Sequence, residues 1–190
     1  MRKLIYYVST TADGFIATAS GGFDVFLQDG EHMPDMLAEY PETLPAHVRA
    51  PLGIADAPNR RFDAVLMGRA TYAVGLPHGV TSPYPHLAQY VVSKSLTVTD
   101  PTVQQIAADP LRAVRELKQK PGLDIWLCGG GVLAAELAPE LDELILKQHP
   151  VVIGAGTPLF ARAITPARMR LLDHRTYANG YQRLHYSLRG

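Results

Sequence analysis

Short apolar runs of strand length alternate with helical patterns along this chain. Leu4 to Val8, Asp63 to Met67, Gln89 to Val92 and Ile125 to Cys128 each read as a buried strand. Val103 to Ile106 and the run starting at Leu144-Ile145-Leu146 add two more. Between them lie helical segments. Pro34 to Tyr40 opens with a proline-led first turn. Gly68-Arg69-Ala70-Thr71-Tyr72 turns from strand into a short helix. Asp109-Pro110 starts a helix that puts Leu111, Val114 and Leu117 on one face, and Pro121-Gly122 ends it. Leu133 and Leu137 share a face after three consecutive glycines. At the C-terminal end, Leu171 to Thr176 and Tyr181 to Leu188 flank Ala178-Asn179-Gly180, a hairpin signal. The alternation predicts an α/β fold in a single domain covering 1–190. Its central sheet is mostly parallel and flanked by helices, and the terminal hairpin adds antiparallel strands.

The stretch from residue 10 to 59 breaks this rhythm. It is rich in glycine, proline and acids, and reads as a functional loop rather than as core. No repeat, low-complexity tract or linker interrupts the chain.

Composition narrows the function. The 190 residues are 47% apolar, enough for one real core. Eighteen basic residues balance eighteen acidic ones, which disfavours a nucleic-acid or anionic-membrane partner. Cys128 is the only cysteine, so no internal disulfide forms, and a cytoplasmic location is expected. The thiol sits in an apolar run and reads as packing. The apolar stretch near the N-terminus is too short for a signal peptide, and no run is long enough to span a membrane. Seven scattered histidines without metal-ligand spacing predict no metal site. Tyr72 reads as a packing residue.

Candidate chemistry gathers at three strand ends. Strand, glycine turn, helix is the order at Gly129-Gly130-Gly131, where bare backbone N–H groups attract phosphate and a Cβ would keep a pyrophosphate away. Gly68-Arg69-Ala70-Thr71 offers a guanidinium and a hydroxyl at another helix start. Ser93-Lys94-Ser95 supplies groups suited to a ribose 2′-phosphate. In a parallel sheet, ligands collect at such carboxyl ends. Together the three ends predict a phosphorylated dinucleotide. Gly154-Ala155-Gly156 lacks the third glycine of a dinucleotide fingerprint, since Leu159 stands in its place.

These pieces, in their order, resemble a known family. Leu4 to Thr10 is followed by Asp13-Gly14-Phe15-Ile16-Ala17. Then come Val65 to Tyr72, Val91-Val92-Ser93-Lys94, the triple glycine, and Leu141-Asp142-Glu143-Leu144 leading to Pro150 to Phe160. The set spans residues 3 to 160 and resembles the dihydrofolate reductase-like superfamily. Within it, the chain resembles stand-alone relatives of the reductase domain of the bifunctional riboflavin-biosynthesis deaminase–reductase. The resemblance implies an NADPH-dependent reductase acting on a small heterocyclic, pterin- or pyrimidine-like molecule. It implies that the Gly-Arg-x-Thr turn and the glycine turn, continuing through Val132 and Leu133, hold the cofactor phosphates. It places Ile16 and Ala17 by the nicotinamide, and the 154–156 loop near the substrate. Relatives of this kind are commonly homodimers, so a homodimer is expected.

The substrate side is less defined. From Asp13 to Val48 there is no Lys or Arg, but there are seven acids: Asp13, Asp24, Asp29, Glu31, Asp35, Glu39 and Glu42. An acidic segment walling the substrate disfavours a phosphorylated one, unless Arg49, Arg60 or Arg61 folds over it. Asp13 and Asp24 are the candidates for orienting the substrate or relaying its proton. Two alternatives stay open: reduction of 5-amino-6-(5-phosphoribosylamino)uracil, and a non-catalytic NADP-binding module.

Overall fold

The computed structural model describes residues 1–189. Its frame is an eight-stranded sheet in the order β5-β4-β3-β6-β1-β7-β10-β9. The strands are β1 (Leu4–Thr11), β3 (Phe62–Gly68), β4 (Ala88–Val92), β5 (Val103–Ile106), β6 (Asp124–Gly129), β7 (Glu143–His149), β9 (Arg170–Thr176) and β10 (Gln182–Ser187). Neighbours from β5 through β7 are parallel; β10 runs antiparallel to β7, and β9 to β10. The mostly parallel sheet with its terminal hairpin is therefore as the pattern implies. A two-stranded antiparallel sheet of β2 (Phe15–Thr18) and β8 (Gly156–Pro158) lies beside it. The apolar pattern gives no sign of either short strand.

The central strands are apolar on both faces because both are covered. On one face Leu4, Tyr6, Leu66, Ile125 and Leu127 pack against Val114 and Leu117 of α4 (Pro110–Gln119) and Leu133 and Leu137 in and after α5 (Gly131–Glu136). On the other, Ile5, Tyr7, Val65, Met67, Trp126 and Ile145 pack against Tyr40 and Tyr72. Tyr40 directly follows α1 (Met33–Glu39), and Tyr72 lies in α3 (Arg69–Ala73). Tyr72 is buried and donates to the Thr81 carbonyl at 2.7 Å, in keeping with a packing role.

The 10–59 segment is more than a loop. Phe26, Tyr40 and Thr43 are buried in it, and so are two charged residues. Glu42 is fully buried and accepts the N–H groups of Arg60, Arg61 and Phe62 at 3.2, 2.7 and 2.8 Å, which fixes the entry to β3. Arg49, in α2 (Ala46–Arg49), donates to the carbonyls of Pro41, Ala55 and Ala57. A buried charge is tolerated where several backbone groups solvate it. Arg49 is thus an internal brace, and of the three arginines that could fold over the substrate it is removed. Arg61 is likewise engaged, by Asp124 at 3.2 Å and Glu143 at 2.8 Å.

Candidate active site

The sheet register gathers the three strand ends. Gly68 lies opposite Val92, and Met67 opposite Gly129. Adjacent strands are about 4.8 Å apart, so the residues after Val92, Gly68 and Gly129 form one patch at the carboxyl edge. α3 and α5 start there on glycine N-caps, Gly68 and Gly130, and neither has a side-chain cap. The first N–H groups of a helix have no partner within it, so these donors are free for a ligand. By contrast, α4 is capped, the Asp109 carboxylate accepting the Arg112 N–H at 3.0 Å.

The two turns face each other across Thr71. A Cβ added at Gly130 would have the Thr71 Oγ1 as its nearest neighbour, at 3.8 Å. One at Gly129, where φ is +152°, would lie 3.4 Å from the same oxygen. Glycine here keeps open a gap lined by N–H groups and a hydroxyl, a cradle that a side chain would fill. N–H donors and a hydroxyl are groups of the kind that hold a phosphate. Gly131 differs: a Cβ there would lie 2.2 Å from the Pro158 carbonyl oxygen and 3.2 Å from Ala161. Its lack of a side chain serves packing against the 158–161 loop, while its backbone N–H is the first of α5. Leu133 is buried in the core, whereas Val132 is exposed. Backbone N–H groups are what these two positions offer a ligand.

Arg69 and Lys94 are exposed at neighbouring strand ends, and Ala70 is exposed beside Arg69. Among the described residues neither cation has an ion-pair partner. Ser93 is buried, and its oxygen accepts the N–H groups of Leu96 and Ser95 at 2.9 and 3.3 Å. It shapes the turn that presents Lys94 and retains a hydroxyl proton to donate.

The Asp-Gly-x-Ile-Ala segment reaches this patch through the small sheet. β2 pairs with β8, Gly14 accepts the Leu159 N–H at 3.0 Å, and Gly131 accepts the Ala161 N–H at 3.0 Å. Ile16 packs on the core, and the Ala17 carbonyl abuts Gly156, where no Cβ would fit. The 13–18 and 153–161 segments thus form one layer against the glycine turn.

Asp13 belongs to that layer as an anchor. One carboxylate oxygen accepts the N–H groups of Gly154 and Ile153 at 2.8 and 3.1 Å. A hydrogen bond from Thr11 together with these two holds its carboxyl below the ordinary carboxylate range, against a smaller opposing effect of burial. These bonds make it an anchor between the 13–18 and 153–161 segments. Asp24 is exposed on the turn after β2.

The acidic wall also changes once partners are counted. Asp35 pairs with Arg175 at 2.5 Å and accepts the Tyr177 hydroxyl; Glu39 pairs with Arg175 and Arg183; Glu31 accepts the Ala178 N–H; and Glu42 is internal. The neutralising arginines come from the C-terminal hairpin, about 140 residues away in sequence. Burial pushes the Cys128 thiol up to about 11, so it stays protonated beside the glycine turn. Among the described residues no three metal-ligating side chains converge, and no helix is long and apolar enough to cross a membrane.

Comparison with known proteins agrees with this architecture. The uncharacterized protein YyaP of Bacillus subtilis (strain 168) is 28% identical over 202 residues, covering 100% of this chain and 96% of its own length. A solved structure from Shewanella sp. PV-4, described as a candidate riboflavin biosynthesis protein, superposes with a TM-score of 0.70 at 19% identity, covering 97% and 98% of the two chains. Dihydrofolate reductase from Enterococcus faecalis, solved with NADP(H), superposes with a TM-score of 0.65 at 16% identity, covering 97% and 95%. The fold is therefore dihydrofolate reductase-like. The family described as the RibD C-terminal domain matches residues 2–183, and the chain belongs to that family.

Proposed function

We propose that this protein is an NADPH-dependent reductase that delivers hydride to a small heterocyclic substrate. The observation that carries this reading is the pair of uncapped glycine N-caps facing each other across Thr71, with Arg69 and Lys94 unpaired beside them. N–H groups of the two turns donate to the diphosphate. Arg69 and Lys94 supply charge for the 2′-phosphate, and no acid adjoins those strand ends to hold a free 2′-hydroxyl. The bound cofactor supplies the hydride; the protein supplies geometry. The β2–β8 layer closes one side of the cleft beside the glycine turn. With Asp13 engaged as an anchor, we assign the product's proton to water.

The test is NADPH oxidation followed by absorbance against a panel of pterins, pyrimidines and quinones. Turnover on at least one class is expected. Tight NADPH binding without turnover on any would replace the reductase with a non-catalytic module, and no NADPH binding would overturn both.

A further inference from the structure

The pairing register lays four polar residues side by side at one level of the sheet. Ser9 of β1 is opposite Lys147 of β7, Lys147 is opposite Arg183 of β10, and Arg183 is opposite Arg175 of β9. Paired residues point to the same face, which makes this a row of three cations on the face that also carries Tyr7, Trp126 and Ile145. Two of them are neutralised. Arg175 is held by Asp35 and Glu39 of α1, and Arg183 by Glu39 and Asp173. The α1 acids are thereby engaged at the outer end of the row.

Lys147, at the inner end, is not neutralised. It is half-buried, its ammonium lies 4.5 Å from the centroid of the Tyr7 ring, and among the described residues it has neither a carboxylate partner nor a hydrogen-bond acceptor. An aromatic face offsets part of the desolvation of a cation but accepts none of its three N–H bonds in the manner of an oxygen. Burial pushes this ammonium down to about 8, with Cys128 opposing the change, so near neutral pH it is still mostly charged. Two residues on, on the same face, His149 is buried. Its Nδ1 accepts the Leu27 N–H at 3.0 Å, so the ring proton sits on Nε2, which has no partner. Burial, then the charge of Lys147, push His149 down to about 3, so it is a neutral donor. Two donors without acceptors thus stand at the carboxyl end of β7. Cys128, on the same face, directly precedes the glycine turn.

We propose that Lys147 is the anchor for an oxyanion carried by the substrate, a ring carboxylate or a phosphate, and so sets the substrate class as anionic. This rests on the reading of the cleft beside the glycine turn as the substrate side. It reverses the expectation drawn from the basic-free 13–48 segment. Five of the seven acids of that segment are engaged, Asp35 and Glu39 by arginines and Asp13, Glu31 and Glu42 by backbone N–H groups, and the cation comes from β7.

The experiment compares matched ligands by calorimetry on the NADP⁺-saturated protein: orotate against uracil for a carboxylate, and uridine 5′-monophosphate against uridine for a phosphate. The anionic member of at least one pair is expected to bind about ten- to a hundredfold more tightly, as a charge-assisted hydrogen bond provides. The pair that shows the preference identifies the source of the oxyanion. Lys147→Met should abolish the preference and Lys147→Arg should retain most of it, each with an NADPH-induced rise in melting temperature like that of the native protein. That rise certifies folding. Equal binding within both pairs, no binding of either anion at millimolar concentration, or a preference that survives Lys147→Met would overturn the proposal. Absence of the NADPH effect in the native protein would instead overturn the cofactor reading, while an anion preference lost in Lys147→Met would still stand.

Discussion

Substituting Gly130 by alanine separates a ligand cradle from a structural turn. At Gly130 φ is −92° and ψ is 170°, a backbone conformation open to any residue, and the added Cβ meets nothing nearer than the Thr71 oxygen at 3.8 Å. The free protein should therefore keep its stability to within about 0.5 kcal/mol. NADPH at about a hundred times its dissociation constant stabilises the native protein by about 2.7 kcal/mol. For a domain of this size that corresponds to a rise in melting temperature of roughly 5–11 °C. The new methyl group occupies the gap between the two turns. Losing about 3 kcal/mol of charge-assisted contact there weakens binding about a hundredfold. At the same NADPH concentration, the remaining stabilisation is about 0.4 kcal/mol, roughly 1 °C. Gly131→Ala is the control, because its Cβ would lie 2.2 Å from the Pro158 oxygen. It should lower the melting temperature of the free protein by several degrees, in line with the ~1–3 kcal/mol cost of overpacking. Thermal unfolding of the three proteins with and without NADPH reads both effects. A full NADPH effect in Gly130→Ala would refute the cradle, and so would a loss of free-protein stability as large as that of Gly131→Ala.

Three further outcomes are expected. Fluorescence titration should show tighter binding of NADPH than of NADH, and Arg69→Ala or Lys94→Ala should each cut that preference about tenfold; equal affinities in the native protein would remove the 2′-phosphate assignment. Stability should fall as pH drops from 6.5 towards 3, because His149 is held neutral when folded and takes a proton when unfolded; the effect amounts to roughly 4 kcal/mol at the acid end, and His149→Phe should flatten it in urea titrations at stepped pH. Light scattering at micromolar concentration should give about twice the chain mass, since the edge strand β9 is exposed along its whole length with Leu171 and Leu172 uncovered, and a clean monomer would refute the dimer.

The central sheet is legible in the sequence because its strands are covered on both faces and so read as continuous apolar runs. Leu4 to Val8 and Ile125 to Cys128 leave little room for another reading. The same physics hides β2 and β8. Each is short, half-buried and paired only with the other, so neither carries a run or an alternation. Glu42 and Arg49 mislead for a related reason. Charge in a sequence signals solvent, yet here each is buried because backbone groups of the folded chain satisfy it, three N–H donors for one and three carbonyls for the other.

The two halves of the site differ in legibility because they are built differently. The side proposed to hold phosphate is made of backbone, so its requirements are written locally, as glycine after strand with a cation next to it. Only the register that brings Gly68, Val92 and Gly129 to one level has to be supplied by the fold. The substrate side is made of charges that cancel across the chain. Asp35 and Glu39 look like a negative surface until Arg175 and Arg183 are laid against them, and Lys147 looks like an ordinary strand residue until its neighbours' partners are counted. The sign of that cleft is a difference between paired charges, and pairing is a property of register. A local count of acids therefore cannot give the sign of that surface. The charges of a sheet surface have to be paired along cross-strand rows, and along the row Ser9–Lys147–Arg183–Arg175 the carboxylates sit on the two arginines and leave Lys147, at the end nearest the glycine turn, as the cation without a carboxylate partner.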